Sequence, residues 1–163
     1  MRALLLLAAG ALAAGALGAC QPAPEQRAGT ASPDAAREDE SDLLLQMLLL
    51  QRYAEKAHLA AEADNWPLAA FYAHEVEEAA ERLAEGGYAH DELDLGPIAR
   101  ETALPPAERL LAAAEAADAP AFAEAFAGVV AGCNACHART GHPYLVVQVP
   151  DGRAAYPSQR FTP

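Results

Sequence analysis

Basic residues and clusters of polar side chains are scarce in this sequence, and each scarcity excludes a class of protein. The chain has 11 lysines and arginines against 23 aspartates and glutamates, which gives a formal net charge of -12. A surface of this charge repels phosphate, so nucleic-acid binding is excluded, and an electrostatically steered protein partner should present a basic face. The apolar stripes are rich in alanine and leucine and offer no convergent set of polar groups, so the sequence does not predict an enzyme.

Cysteine is also rare, and two of the three cysteines fall in one short motif. Cys133 and Cys136 are followed directly by His137, which is the C-x-x-C-H signature of covalent c-type haem attachment. Positions i and i+3 of a helix share a face, so each thiol can form a thioether with one of the two vinyl groups on a porphyrin edge. The imidazole of His137 then stands beside the second thioether as the proximal ligand of the iron. The motif predicts one covalent haem c.

Two other kinds of site use similar residues. A thioredoxin-like redox pair has a C-x-x-C motif, but it accompanies a βαβ pattern, and the residues before Cys133 are helical and rich in alanine. Four zinc ligands can also be counted, namely Cys133, Cys136, His137 and His142. Structural zinc sites separate their two ligand pairs by a long spacer, which this run lacks. Haem attachment is therefore favoured, with the redox pair and the zinc site as alternatives.

The first forty residues are predicted to target and anchor the chain. Residues 1–19 have the pattern of a signal peptide, with a positive start and an apolar run over Ala3–Ala16. The run Leu17-Gly18-Ala19-Cys20 resembles the lipobox of bacterial lipoproteins, in which the cysteine is lipidated and becomes the mature N-terminus. An ordinary signal peptide or a short membrane anchor is the alternative, although the apolar run is short for a membrane span.

Residues 20–40 combine this lipidated cysteine with a flexible tether of proline, alanine, serine, glycine and charged residues. Twenty such residues have a reach of about 25 Å. Because c-type haem is attached outside the cytoplasm, the sequence predicts a periplasmic protein that is lipid-anchored to a bacterial membrane through Cys20.

The folded domain is predicted over residues 41–150, followed by a C-terminal tail over residues 151–163. Apolar residues that recur every three or four positions predict helices. The first helix should open at Ser41 or Asp42, either of which is a good N-cap, and run to about Asp64.

Three more helices are predicted from the same periodicity and from capping signals. The second is capped by Asn65 and ends at Gly86, and its buried face should consist of Ala69, Tyr72, Val76, Ala79 and Leu83. Residues Tyr88–Leu104 are predicted to form a long irregular connection. The third helix starts at Pro105, and the fourth opens at Asp118.

The fourth helix carries the C-x-x-C-H motif. Its core-facing stripe should consist of Phe122, Phe126, Val129, Cys133 and Cys136.

With four helices and the motif on the last one, the chain resembles the class II c-type cytochromes, the cytochrome c-prime type. Asn65–Ala69, Phe71–Glu75 and Cys133–His137 are also similar to segments of a group of small periplasmic bacterial cytochromes. The resemblance implies an all-α fold, an up-down-up-down four-helix bundle with the c-type haem on the last helix. Beyond that helix, Tyr144–Val149 is predicted to be an extended apolar tail laid along the bundle.

The sixth coordination position of the iron decides between two functions. An electron carrier needs two strong axial ligands, whereas a gas-binding protein needs an open sixth position. We expect electron transfer with a redox partner protein that has a basic docking face. The alternative is a five-coordinate gas-binding or sensing protein of the cytochrome c-prime type.

Met47 is the candidate distal ligand. In an up-down-up-down bundle the start of the first helix lies level with the end of the fourth, so Met47 should face His137. A methionine that fills space beside the haem is the alternative role for this residue. His58 is predicted to lie about 16 Å further along the bundle, and His90, near the haem end, is an outside candidate.

Overall fold

The computed structural model describes residues 33–90 and 93–150, and these residues confirm the all-α prediction. The predicted signal peptide, Cys20, the first part of the tether and the tail over residues 151–163 lie outside the described residues. The described part of the chain forms five helices and two short strands: α1 Pro33–Glu62, α2 Trp66–Glu85, β1 Ala89–His90, β2 Leu93–Asp94, α3 Gly96–Thr102, α4 Leu104–Glu115 and α5 Ala119–Arg139.

Helix α1 is longer than predicted. It begins at Pro33, eight residues before Ser41, and so includes part of the segment predicted to be a flexible tether. Proline is well tolerated in the first turn of a helix, because its missing N–H has no intrahelical acceptor there. The sequence between Pro33 and Ser41 is mainly charged and has no apolar period, so the hydrophobic pattern predicted the start of α1 too late.

The turns before α2 and α5 use the predicted capping residues. The Asn65 side chain accepts a hydrogen bond from the Leu68 N–H at 3.4 Å, and the Asp118 side chain accepts one from the Ala121 N–H at 3.1 Å. Each cap satisfies one of the N–H groups that the first turn of a helix leaves without a partner. Both turns are only three residues long, so α1 and α2, and likewise α4 and α5, are packed neighbours.

The prediction of an irregular connection over Tyr88–Leu104 is wrong. The chain there forms an antiparallel hairpin of β1 and β2, followed by helix α3. Asp94 Oδ1 accepts a hydrogen bond from the Gly96 N–H at 2.9 Å, Pro97 lies in the first turn of α3, and Ile98 is buried. Strands of two residues and a helix of seven are too short to show a period in the sequence, which explains the error.

One hydrophobic core joins the helices. Helix α1 packs on α2, α2 packs on α4, and α4 packs on α5, while α3 contacts α2, α4 and α5. The buried face of α2 includes every residue predicted from its period, namely Ala69, Tyr72, Val76, Ala79 and Leu83. Helices α1 and α5 touch each other at few points. A groove therefore remains between the first and the last helix.

Helix α5 presents its apolar stripe to this core. Phe122, Phe126 and Val129 are buried, as predicted, whereas Cys133 and Cys136 are only partly buried near the end of the helix. By length and composition alone, α5 is the one helix in the described ranges that could cross a membrane. Because its aromatic residues pack inside the protein, we interpret it as a core helix.

Candidate functional site

The segment Tyr144–Pro150, which we call the closing segment, lies along the groove between α1 and α5, and together they line a cavity of about 900 Å³ that is partly open to solvent. We call it the α1–α5 cavity. Its volume falls at the upper end of the roughly 300–1,000 Å³ that is usual for sites of small molecules and cofactors. Met47 lines it from α1, and Phe126, Cys133 and His137 line it from α5.

The rim of the α1–α5 cavity exposes large apolar side chains. On α1, Leu44 is 65% exposed and Leu48 is 55% exposed, and both line the cavity. On the closing segment, Val146 is 73% exposed. A contiguous exposed apolar surface commonly marks a binding site, because burying it against a ligand removes it from water. The volume and the apolar rim therefore suit a large apolar ligand.

Cys133 stands in this cavity as a free thiol. Burial, together with the neighbouring Cys136, raises the pKa of the Cys133 thiol from 9.0 to about 11. A thiol with such a pKa stays protonated at neutral pH, and it is a weak nucleophile toward disulfides. This environment does not suit the thioredoxin-like redox pair, which needs an activated thiolate.

Cys136 is also free, but it does not line the α1–α5 cavity. Burial raises its pKa, while the positive charge of Arg139 and a hydrogen bond with Thr102 act to lower it. The motif thus places one cysteine in the cavity and the other toward α3. This differs from the expectation that both cysteines share the stripe facing the core, because positions i and i+3 diverge by about 60° around a helix.

The imidazole of His137 is held by the segment that closes the cavity. Its Nδ1–H donates a hydrogen bond to the Leu145 carbonyl oxygen at 2.7 Å. A carbonyl acceptor fixes the tautomer with the proton on Nδ1, so Nε2 is the nitrogen that remains to bind a metal. The hydrogen bond therefore leaves Nε2 of the neutral imidazole as the nitrogen with a lone pair for a metal.

Asn134, inside the motif, pairs with the same segment. Its Nδ2 donates to the Val147 carbonyl oxygen at 2.9 Å, and its Oδ1 accepts from the Val147 N–H at 2.8 Å. The side-chain amide thus makes the two hydrogen bonds with Val147 that the backbone of a neighbouring strand would make in a sheet. Tyr144 lies in a turn, the residues from 145 to 150 form neither helix nor strand, and Tyr144–Pro150 line the α1–α5 cavity. The extended conformation of the tail stays a prediction.

Helix α3 supports the motif from the other side. Gly132 lies against the carbonyl oxygen of Thr102 so closely that a Cβ at this position would overlap it. One turn further along α5, the Cys136 thiol lies near Thr102, and Arg139 forms an ion pair with Glu101 at 2.6 Å. Sequence reasoning missed these contacts, and the only local signal was a glycine directly before the first cysteine of the motif.

Met47 and His137 line one cavity, as the predicted alignment of the first and last helices requires. Iron ligation by Met47 stays a prediction. Among the described residues, His137 is the one histidine that lines this cavity. His58 stands beside Phe126 in a separate cavity of about 220 Å³, with 4.8 Å between their ring centroids. The ring of His90 is tilted against that of His142, with 4.7 Å between their centroids.

Within the described ranges, no three histidine, cysteine, aspartate or glutamate side chains are grouped as a metal-ion site. The zinc alternative, which counts His142 with the motif, is therefore without structural support, and the ring of His142 instead contacts His90 and Tyr144. No protein-family model, curated protein or solved structure matches this chain.

Proposed function

We propose that this protein is a c-type cytochrome that is anchored to a membrane by lipid and transfers electrons in the periplasm. One observation carries the proposal. Cys133 and His137 of a C-x-x-C-H motif border an apolar cavity of about 900 Å³, and Met47 lines the same cavity. A covalent haem c accounts for the motif, the size of the cavity and its exposed apolar rim together.

The residues that would hold the haem have distinct tasks. Cys133 and Cys136 would form the two thioethers, and Nε2 of His137 would bind the iron. When bound, the haem supplies reversible one-electron exchange between ferric and ferrous iron. The Leu145 carbonyl keeps the proton on Nδ1 of His137, and the leucines of α1 that line the cavity would supply apolar contacts to the haem.

The bundle topology implied by the resemblance to the class II cytochromes belongs to the same proposal. Helices α1, α2, α4 and α5 would be the four members of an up-down-up-down bundle. The short turns before α2 and α5 favour antiparallel neighbours. The β1–β2 hairpin and α3 would then be an elaboration of the connection between the second and third members.

The acidic surface of this protein favours a redox partner with a basic docking face. The chain carries a net charge of -12, and α2 exposes acidic side chains around His74, with Glu77 and Glu78 each within 4 Å of its ring. Complementary charge mainly accelerates encounter rather than tightening the complex. The membrane would be reached through lipid on Cys20, and nucleic acid is not a partner.

Gas binding remains the alternative function, because the α1–α5 cavity offers a single methionine as a sixth ligand among its described lining residues. Without a bond from the Met47 sulfur, the sixth position of the iron would be open to carbon monoxide or nitric oxide. Optical spectra of the oxidised, reduced and carbon-monoxide-treated protein distinguish the two functions. A six-coordinate spectrum that carbon monoxide does not change supports electron transfer.

Covalent attachment is tested on protein expressed in a host that attaches c-type haem. After denaturation in acidic acetone, the protein should keep the mass of haem and give a pyridine haemochrome spectrum. The double variant Cys133→Ala, Cys136→Ala should lose both signals. Leu48→Ala, which alters the wall of the same cavity, is the matched control and should keep them. Haem that leaves the wild-type protein in acidic acetone would refute the proposal.

A further inference from the structure

Asn134 occupies the first variable position of the C-x-x-C-H motif, where haem attachment makes no demand on the side chain. Even so, its half-buried amide forms two hydrogen bonds, and both go to the backbone of Val147, at 2.9 Å and 2.8 Å. Thirteen residues of chain separate the two partners. Such a bidentate pair fixes both the position and the orientation of one peptide unit.

The segment that Asn134 holds is the one that contacts His137. The Leu145 carbonyl, two residues before Val147, accepts the Nδ1–H of His137 at 2.7 Å. The Leu145 N–H donates to the His142 carbonyl oxygen at 3.0 Å, so the turn after α5 holds this residue from its N-terminal side. The amide of Asn134 holds the chain from the C-terminal side.

Packing contributes little to the position of this segment. The side chains of Tyr144 and Val146 are each 73% exposed, and those of Leu145 and Val149 are each 48% exposed. The residues from 145 to 150 form neither helix nor strand, so no regular set of backbone hydrogen bonds holds them. The two hydrogen bonds with Asn134 are therefore the principal restraint on the segment near Val147.

We propose that Asn134 is a positioning residue for His137. By holding Val147, Asn134 keeps the Leu145 carbonyl oxygen in position to accept the hydrogen bond from Nδ1–H of His137. This hydrogen bond sets the tautomer of the imidazole and increases the electron donation from Nε2 to the iron. The inference rests on the proposed function, in which Nε2 of His137 binds the haem iron. Stronger donation from the axial imidazole stabilises ferric iron, so Asn134 acts to lower the reduction potential of the haem.

The first test compares Asn134→Ala with the wild type as haem-loaded proteins. The amide of Val147 should exchange with solvent about tenfold faster in the variant, because its hydrogen bond is lost. The reduction potential should rise. Gln148→Ala is the matched control, since it removes an amide side chain from the same segment but leaves the Asn134–Val147 pair, and it should change neither quantity.

The second test shows that the effect passes through the segment. The full-length variant Val147→Pro lacks the N–H that donates to Asn134 Oδ1, so it should have a raised potential, and adding Asn134→Ala to it should cause little further rise. Two coupled residues give such a non-additive result in a double-mutant cycle. If Asn134→Ala raises the potential equally with Val147 and with Pro at this position, Asn134 acts on the haem directly and the inference is wrong.

A third measurement separates this inference from the proposed function. In the haem-free protein, the Nδ1–H of His137 should give a slowly exchanging imidazole proton signal by NMR, and Asn134→Ala should abolish it. If the wild type attaches no haem, the proposed function fails, while this signal still reports whether Asn134 positions the imidazole. An unchanged signal and an unchanged potential in the variant would overturn the inference.

Discussion

Gly132 and Thr102 are in backbone contact, and no side chain fits between them. A Cβ on Gly132 would overlap the Thr102 carbonyl oxygen, which belongs to the last residue of α3. Because Cys133 follows directly, this contact sets how far the motif-bearing end of α5 lies from α3. A backbone oxygen within a packed helix cannot move aside as the end of a flexible side chain does.

Gly132→Ala should therefore destabilise the protein by about 1–3 kcal/mol, the usual cost of overpacking. The gain in helix propensity, about 1 kcal/mol, is smaller than the cost of moving α3. Gly128→Ala is the control in the same helix, because its Cβ would lie 3.3 Å from a side-chain carbon of Pro106 and meet no backbone oxygen. Urea unfolding measures both variants, and equal stabilities would contradict the described contact.

The stability of the haem-free protein should fall at alkaline pH because of Cys133. Burial raises the pKa of this thiol from 9.0 to about 11. The folded state thus holds the proton more tightly than the unfolded state does. The contribution of this thiol to the free energy of unfolding is complete below pH 9.0, and it is lost as the pH rises toward the folded-state pKa of about 11. Two pKa units correspond to about 2–3 kcal/mol.

Urea unfolding of haem-free protein at several pH values between these limits measures the effect. Cys133→Ala should lack most of the alkaline loss, since the titrating thiol is gone. The haem-loaded protein should lack it too, because a thioether has no proton to release. An identical alkaline slope in the wild type and in Cys133→Ala would show that this thiol is not buried.

Met47→Ala should abolish the far-red sulfur-to-iron absorption band of the oxidised protein. It should also lower the reduction potential and let carbon monoxide bind, because Met/His ligation raises the potential and closes the sixth position. Leu48→Ala removes an apolar side chain of similar size from the same cavity and should preserve the band. A wild type that lacks the band and binds carbon monoxide readily would make gas binding the leading function.

Cys20→Ser should release the protein from the membrane into the soluble periplasmic fraction. Acyl chains contribute about 0.8 kcal/mol per buried methylene to membrane binding, so the loss of lipid abolishes stable anchoring. Cell fractionation followed by mass spectrometry of the N-terminus checks both points. The covalent haem should be unaffected. Recovery of wild-type protein in the soluble fraction would contradict the lipidation of Cys20.

Local signals in the sequence predicted much of the helical framework. The caps at Asn65 and Asp118 depend on hydrogen bonds within one turn, so the residues themselves are sufficient to predict them. The buried face of α2 follows from a period that the sequence displays directly. The C-x-x-C-H spacing is likewise local, and it alone indicates haem attachment.

Contacts between segments that are distant in the sequence could not be predicted from local patterns. The amide of Asn134 is thirteen residues from Val147, and Gly132 is thirty residues from Thr102, so neither partner can be read from a local pattern. Helix α3 was missed because seven residues show too little periodicity, and its helical form depends on the burial of Ile98 and Ala99.

The sequence by itself determined the spacing of the motif, the all-α class and the buried face of α2, because spacing and periodicity are properties of a few neighbouring residues. Only the tertiary structure decided that Cys133 stands in the α1–α5 cavity while Cys136 turns toward α3, and that a backbone carbonyl of the closing segment holds His137. The physical reason is that contacts with α3 and with Val147 set the rotation of α5 about its own axis. Those contacts exist only once the helices have packed.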